Sequence, residues 1–184
     1  MARCVALLRG INVGRAKRIS MAELRALGDD LGLEGVATVL NSGNLVFTVP
    51  DSRVAGVAAE IEAAVAAACG FSATTIVVRA EQLACIVAEN PLLDVAANSA
   101  RLLVAFVAEP GALFRAQSLF EVPWAPEAFA VGAHAAYLWC ADGVIASPLA
   151  KAFAHLMGES ATMRNWTTVG KVWAAVADTQ SSLG

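Results

Sequence analysis

The residues best suited to chemistry in this chain are the basic ones that cluster between positions 9 and 18. Arg9, Arg15, Lys17 and Arg18 account for four of the 13 lysines and arginines in 184 residues. The same segment contains Asn12 and two glycines, which adopt turn conformations easily. This segment, called the basic loop below, is predicted to be a connection that can bend around an anion.

The elements on either side of the basic loop follow from local sequence signals. Residues 3–8 form an apolar run that predicts a buried strand. Ser20 followed three residues later by Glu23 is a capping box, so the first helix is predicted to begin there. Gly32 is predicted to end that helix.

A hairpin is predicted next. Two β-rich runs, residues 36–40 and 45–49, flank a stretch of strong turn formers. The turn consists of Asn41, Ser42, Gly43 and Asn44.

The order of the predicted elements indicates a duplicated α+β fold. The further elements are, in chain order, a helix over 54–69, a strand over 73–78, a helix over 81–89, a strand over 101–107, a helix over 112–120, strands over 128–131 and 135–140, a helix over 148–157, a strand over 161–164 and a final helix containing 169–176. The order β-α-β-β-α-β is that of the ferredoxin-like fold. We therefore predict two such subdomains, each with an extra C-terminal helix, at residues 1–90 and 101–184, joined by a linker over 91–100.

This topology predicts that the basic loop and the hairpin turn are neighbours. In the ferredoxin-like fold the first strand runs antiparallel beside the third, so both connections fall at one end of the sheet. The start of the first helix adds N–H groups and a positive dipole end, which favour phosphate or carboxylate. The alternative is structural: the turn is an ordinary hairpin turn, Lys17 and Arg18 are solvated, and Glu23 occupies the helix cap.

Composition argues against several classes of protein. The net charge of −3 and a pI near 5.4 do not fit a dedicated nucleic-acid binder, which usually has a basic face. The longest uncharged stretch has 16 residues, whereas a bilayer span takes about 20 apolar ones. We therefore expect a cytoplasmic protein with no membrane and no nucleic-acid partner.

Other known chemistries lack their motifs. The cysteines Cys4, Cys69, Cys85 and Cys140 show no metal-binding spacing and are predicted to be core residues. His134 and His155 have no obvious partner, and no P-loop, dinucleotide or HExxH motif occurs. We expect neither a cofactor nor a metal.

Three blocks of sequence resemble a bacterial family, domain of unknown function 1697. The blocks are LLRGINVG at residues 7–14, NSGNLVF at 41–47 and RNW at 164–166. The resemblance extends from Arg3 almost to the end of the chain and implies a duplicated ferredoxin-like fold, with no activity to carry over. Arg15 stands where the family usually has a second glycine after Val13 and Gly14.

The third block of the resemblance adds three candidate residues. Arg164 could supply a cation, and Trp166 a ring face for stacking. The alternative is that Trp166 fills the core while Asn165 or Thr167 caps the last helix.

Two functional hypotheses remain. The first is binding or hydrolysis of a small phosphorylated or otherwise anionic ligand. Its candidate ligand-binding residues are Arg9, Asn12, Arg15, Lys17, Asn41, Ser42, Gly43, Asn44, Arg164, Asn165 and Trp166. Acylphosphatase offers a fold-level analogy, since it pairs an arginine that holds phosphate with an asparagine that orients water. The second hypothesis is a non-enzymatic binding or assembly module that uses exposed sheet faces or edges.

Overall fold

The computed structural model describes residues 1–14 and 16–178. Within them the chain forms eight strands and five α-helices. They are β1 (Ala2–Leu8), α1 (Met21–Asp30), β2 (Glu34–Val39), β3 (Asn44–Val49), α2 (Val54–Cys69), β4 (Thr75–Arg79), α3 (Ala80–Ala88), β5 (Leu102–Val107), β6 (Ala128–Val131), β7 (Ala135–Trp139), α4 (Pro148–Met157), β8 (Ala161–Asn165) and α5 (Trp166–Asp178).

The strands form two four-stranded sheets with the orders β2-β3-β1-β4 and β6-β7-β5-β8, and each strand pair is antiparallel. The predicted α+β class is therefore confirmed. The chain divides into two compact units. Unit 1 comprises Met1–Leu83 and the described residues from Lys171 onward, and unit 2 comprises Ala84–Gly170.

The central strands explain the apolar runs of the sequence. Every residue of β1 and of β5 is buried, and each of these strands has a neighbour on both sides. Continuous apolar runs, rather than alternating ones, are typical of strands that are buried on both faces.

The starts of α1 and α4 lie where the sequence predicts them. At α1 the Ser20 hydroxyl accepts a hydrogen bond from the Glu23 N–H, and the Glu23 carboxylate accepts one from the Ser20 N–H. At α4 the Ser147 hydroxyl accepts from the Ala150 N–H at 2.9 Å. These bonds satisfy N–H groups that a helix start otherwise leaves without partners.

The helix predicted over residues 112–120 is present, but it is not the α-helix that the β-α-β-β-α-β order implies. The chain forms a 3-10 helix over Pro110–Glu121 instead. Its buried side chains, Leu113, Ala116 and Leu119, recur every three residues. A three-residue period aligns side chains on one row of a 3-10 helix but drifts around an α-helix.

Each unit has a hydrophobic core of its own. The core of unit 1 includes Leu24, Phe47 and Ile61, and that of unit 2 includes Leu113 and Phe153.

The prediction that all four cysteines are core residues is only partly right. Cys4 and Cys140 are buried, but Cys69 is half-buried and Cys85 is exposed, and all four are free thiols. Cys85 lies on the exposed side of α3, because the buried residues of that helix, Leu83 and Ile86, occupy the opposite side. Burial raises the pKa of the Cys4 thiol to about 11, so this thiol is unreactive at neutral pH.

Tyr137 on β7 supplies a testable contact inside unit 2. Its ring is fully buried, and its hydroxyl donates a 2.7 Å hydrogen bond to the Ile86 carbonyl. Burial, together with the charge of Glu89, raises the pKa of Tyr137 to about 12. We expect Tyr137→Phe to destabilise the protein by about 1–2 kcal/mol at neutral pH, because a buried acceptor loses its donor.

The stability that the Tyr137 hydroxyl contributes is expected to fall at high pH. The folded-state pKa is raised, so the contribution of the phenol is complete below about pH 10 and is lost as the pH rises through 12. Because the chain contains one tyrosine, phenolate absorbance reports this group alone. An absorbance midpoint near 10 in the folded protein would contradict the prediction.

Candidate functional site

The basic loop is fastened by the side-chain amide of Asn12. Asn12 Nδ2 donates to the Ile19 carbonyl at 2.9 Å and to the Asn41 carbonyl at 3.1 Å. Asn12 Oδ1 accepts from the Ile19 N–H at 3.0 Å, and its backbone has a φ of 56°, which asparagine tolerates better than most residues. One side chain thus joins the loop to the start of α1 and to the hairpin turn.

The loop and the hairpin are neighbours, as the predicted topology requires. The Leu8 N–H donates to the Gly43 carbonyl at 2.8 Å, and Leu7 pairs with Asn44 in the β1–β3 ladder. Asn44 is fully buried, and its Nδ2 donates to the Val39 carbonyl at 2.8 Å and to Ser42 Oγ at 2.9 Å. The Asn44 amide therefore braces the turn from inside.

An open cleft of about 810 Å³ lies where the loop, the turn and α1 meet. This volume falls within the range of about 300–1,000 Å³ that is usual for small-molecule sites. The residues that line the cleft are Asn12, Arg18, Ile19, Ser20, Met21, Glu23 and Asn41.

The α1 end of this cleft already holds a carboxylate. Glu23 Oε2 accepts from the Ser20 N–H at 2.8 Å, and the hydrogen bonds from the Ser20 hydroxyl and backbone lower the pKa of Glu23. A carboxylate with a lowered pKa is a poor general base. Glu23 is thus poorly suited to activating water in this cleft.

The basic residues of the loop differ in exposure and in hydrogen-bond partners. Arg18 is exposed and lines the cleft. Lys17 Nζ donates to the Ser72 carbonyl at 3.2 Å, whereas Arg9 is half-buried and its backbone N–H donates to the Thr74 carbonyl at 2.8 Å. Arg15 lies outside the described residues.

The family model described as "Protein of unknown function (DUF1697)" matches residues 1–137. The chain belongs to this family. The family resemblance inferred from the three sequence blocks is thereby confirmed. The first two blocks, at 7–14 and 41–47, fall within the matched residues, and the third block at 164–166 lies beyond them.

A solved structure shares the fold of this family member. It is the conserved bacterial protein SP0830 from Streptococcus pneumoniae, with a TM-score of 0.74 and 24% sequence identity. The similarity covers 95% of this chain and 98% of that one. A search of curated proteins gave no match.

The third block of the family resemblance lies in unit 2 and makes structural contacts there. Arg164 is 9% exposed, and its Nη1 donates to Thr162 Oγ1 at 2.9 Å and to the Met163 carbonyl at 3.0 Å. Burial lowers the pKa of Arg164 to about 10.

The other two residues of this block, which follow Arg164, also have structural partners. Asn165 Oδ1 accepts from the Thr168 N–H at 2.9 Å, so Asn165 caps α5 as one of the alternatives predicted. Trp166 is half-buried rather than a core residue, and its backbone N–H donates to the Ser99 carbonyl at 3.1 Å.

Sequence reasoning missed part of the lining of the cleft. Ile19, Ser20, Met21 and Glu23 were not among the candidate binding residues, and Arg18 was named only as part of the basic loop. Arg18 lies two residues before the Ser20 cap and hence near the start of α1, and this signal could have singled it out. In the described part of the chain, no group of His, Cys, Asp or Glu side chains is arranged to hold a metal, and no helix is long and apolar enough to cross a membrane.

Proposed function

We propose that unit 1 binds a small anionic ligand, such as a phosphorylated or carboxylated metabolite, in the cleft between the basic loop and α1. The observation that carries this proposal is the set of Asn12 hydrogen bonds, which hold the loop, Asn41 and the start of α1 in a fixed arrangement. Arg18 then lines a cleft of small-molecule size, and its guanidinium supplies the positive charge for an anion, because the Glu23 carboxylate already occupies the N-terminus of α1.

The residues around this cleft favour binding over hydrolysis. The Asn12 amide already bonds to the Ile19 and Asn41 backbones, and the Glu23 carboxylate caps α1. Neither the Asn12 amide nor the Glu23 carboxylate is therefore available to orient or activate a water molecule. Arg18, with Ser20 and Asn41 beside it, contributes the charge and hydrogen-bonding groups that hold a ligand.

The proposed site belongs to a fold that is more specific than the α+β class. We infer that each unit contains a ferredoxin-like βαββαβ arrangement, in which the 3-10 helix over Pro110–Glu121 stands for the first helix of unit 2. We also infer that the chain is a tandem duplication, with halves at residues 1–90 and 101–184 and a linker over 91–100. The support is the corresponding strand order of the two sheets, in which β1 and β5 occupy equivalent central places.

The four free cysteines support a reducing compartment such as the cytoplasm as the site of action.

The anion proposal is tested by titration with inorganic phosphate, pyrophosphate and ADP while thermal stability is followed. A ligand at 100 times its dissociation constant adds about 2.7 kcal/mol of stability. We expect Arg18→Gln to weaken binding of the best probe by about tenfold or more, because a hydrogen bond to a charged group contributes about 1.5–3 kcal/mol.

The matched control is Arg25→Gln. Arg25 is an exposed arginine on α1 that does not line the cleft, so the substitution changes net charge equally and should leave affinity unchanged. Equal losses in both variants, or no stabilisation by any of the three probes, would overturn the proposal. Phosphate release from pyrophosphate by the wild type but not by Arg18→Gln would instead indicate hydrolysis at this cleft.

A further inference from the structure

The 3-10 helix over Pro110–Glu121 presents an unusual outer surface. Because side chains three residues apart eclipse one another in a 3-10 helix, its residues fall into three parallel rows. The inner row is Leu113, Ala116 and Leu119, which are 0–7% exposed.

The two outer rows combine aromatic rings with opposite charges. One row is Phe114, Gln117 and Phe120, and the other is Arg115, Ser118 and Glu121. These six residues line an open groove of about 710 Å³ and are called the ridge below. Phe114 is 73% exposed and Phe120 is 56% exposed. Exposure of such large apolar side chains to water costs free energy unless a partner covers them.

The Phe120 end of the ridge packs against the core of unit 2. The Phe120 ring lies 4.9 Å from the Phe129 ring, whose centre is 6.1 Å from that of the fully buried Phe153. At the end of the 3-10 helix, Trp124 Nε1 donates to the Leu119 carbonyl at 2.7 Å. A preorganised surface loses little conformational entropy on association, which favours binding.

The charges of the ridge are complementary to those of a second copy placed antiparallel to it. Arg115 and Glu121 are six residues apart on one row, a separation of about 12 Å at the 3-10 rise. Within residues 1–14 and 16–178, neither side chain forms an ion pair. A twofold axis between Gln117 and Ser118 brings each arginine to the glutamate of the other copy.

The charged row is centred on Ser118 and the aromatic row on Gln117, so the same axis pairs both rows to within about 2 Å at the 3-10 rise. Phe114 and Phe120 are equally spaced about Gln117, so Phe114 of each copy lies close to Phe120 of the other. We propose that the ridge is the interface of a twofold-symmetric homodimer of this chain, with its Phe114 and Phe120 rings packed together and its Arg115 and Glu121 paired across the axis. Since the ridge is one short element, the dimer is a reversible one at the small end of interface sizes.

The primary experiment is sedimentation velocity on the full chain from low to high micromolar concentration. We expect the wild type to pass from monomer to dimer over this range and Phe114→Asp to remain monomeric. Arg115→Glu and Glu121→Arg, each alone, place like charges opposite each other and should weaken self-association by about tenfold or more.

Two combinations of the charge variants test the antiparallel pairing itself. The double variant Arg115→Glu with Glu121→Arg restores two opposite-charge pairs and should dimerise like the wild type. An equimolar mixture of the two single variants should form a heterodimer, because the copy with two acidic positions then faces a copy with two basic ones.

Ile145→Asp is the matched control, since Ile145 is 92% exposed in unit 2 and lies outside the ridge. It should dimerise like the wild type. A wild type that is monomeric at every concentration overturns the proposal, as does a dimer that Phe114→Asp leaves intact. A dimer that the single charge reversals weaken but the double variant does not restore overturns the antiparallel pairing.

Discussion

Replacing Gly43 with alanine is expected to destabilise unit 1 by about 3 kcal/mol, through about 1 kcal/mol of backbone strain and about 2 kcal/mol of overpacking. Gly43 has a φ of 75°, a left-handed conformation that a Cβ disfavours. A Cβ here would lie 2.6 Å from Ile11 Cδ1, 3.0 Å from Ile11 Cγ1 and 3.1 Å from Leu8 Cβ. Ile11 and Leu8 both belong to the buried core cluster of unit 1, so the Ile11 side chain can yield only by shifting against its core neighbours.

Gly10→Ala is the matched control for this substitution. Gly10 has a φ of 70°, but a Cβ at this position would meet no atom within 4 Å. It should therefore show the strain alone, about 1 kcal/mol. Hydrogen exchange of the Leu8 amide, which bonds to the Gly43 carbonyl, measures the difference. Equal protection in the two variants would show that the contacts with Ile11 and Leu8 cost nothing.

The positions of the helix starts could be predicted from the sequence because their determinants are local. A capping serine bonds to an N–H three residues away, so Ser20 and Ser147 identify the first turns of α1 and α4 without knowledge of the rest of the fold. The pairing of β2 with β3 could be predicted for a similar reason, since a turn of only a few residues joins the two strands.

The 3-10 helix was not predicted because its sequence pattern is ambiguous. Leu113, Ala116 and Leu119 repeat every three residues, and over so short a stretch this spacing also fits one face of an α-helix. The choice depends on how the three buried residues dock onto the core of unit 2, which is a tertiary interaction that no local signal contains.

The candidate site shows the same division between local and tertiary information. The adjacency of the basic loop and the hairpin follows from strand order, so it could be predicted. The hydrogen-bond partners of the side chains could not be predicted, because residue type alone does not show whether an asparagine bonds to backbone groups or faces a ligand. Asn12 and Asn44 both bond to backbone groups. Which basic residue lines the cleft depends on a loop path set partly by the positive φ values of Asn12 and Lys17.

Replacing Phe153 with alanine is expected to have the largest effect of the substitutions considered, a loss of about 3–5 kcal/mol of stability in unit 2. Phe153 on α4 is fully buried in the core cluster of that unit, and its ring supports the Phe129 ring. Truncation leaves a cavity bounded by a well-packed sheet and helix, which can collapse only in part. Urea unfolding followed by tryptophan fluorescence measures the loss, since three of the four tryptophans, Trp124, Trp139 and Trp166, lie in unit 2 and only Trp173 lies in unit 1.

Phe114→Ala is the informative comparison, because it removes the same ring from the surface of the same unit. Phe114 is 73% exposed, so its truncation should change stability by less than about 0.5 kcal/mol. If the proposed dimer forms, Phe114→Ala should nevertheless weaken self-association, whereas Phe153→Ala lowers the stability of the folded chain. If Phe114→Ala instead destabilised the monomer as strongly as Phe153→Ala, the Phe114 ring would have to be packed within its own chain, and the aromatic row of the ridge would not be a free surface for a second copy.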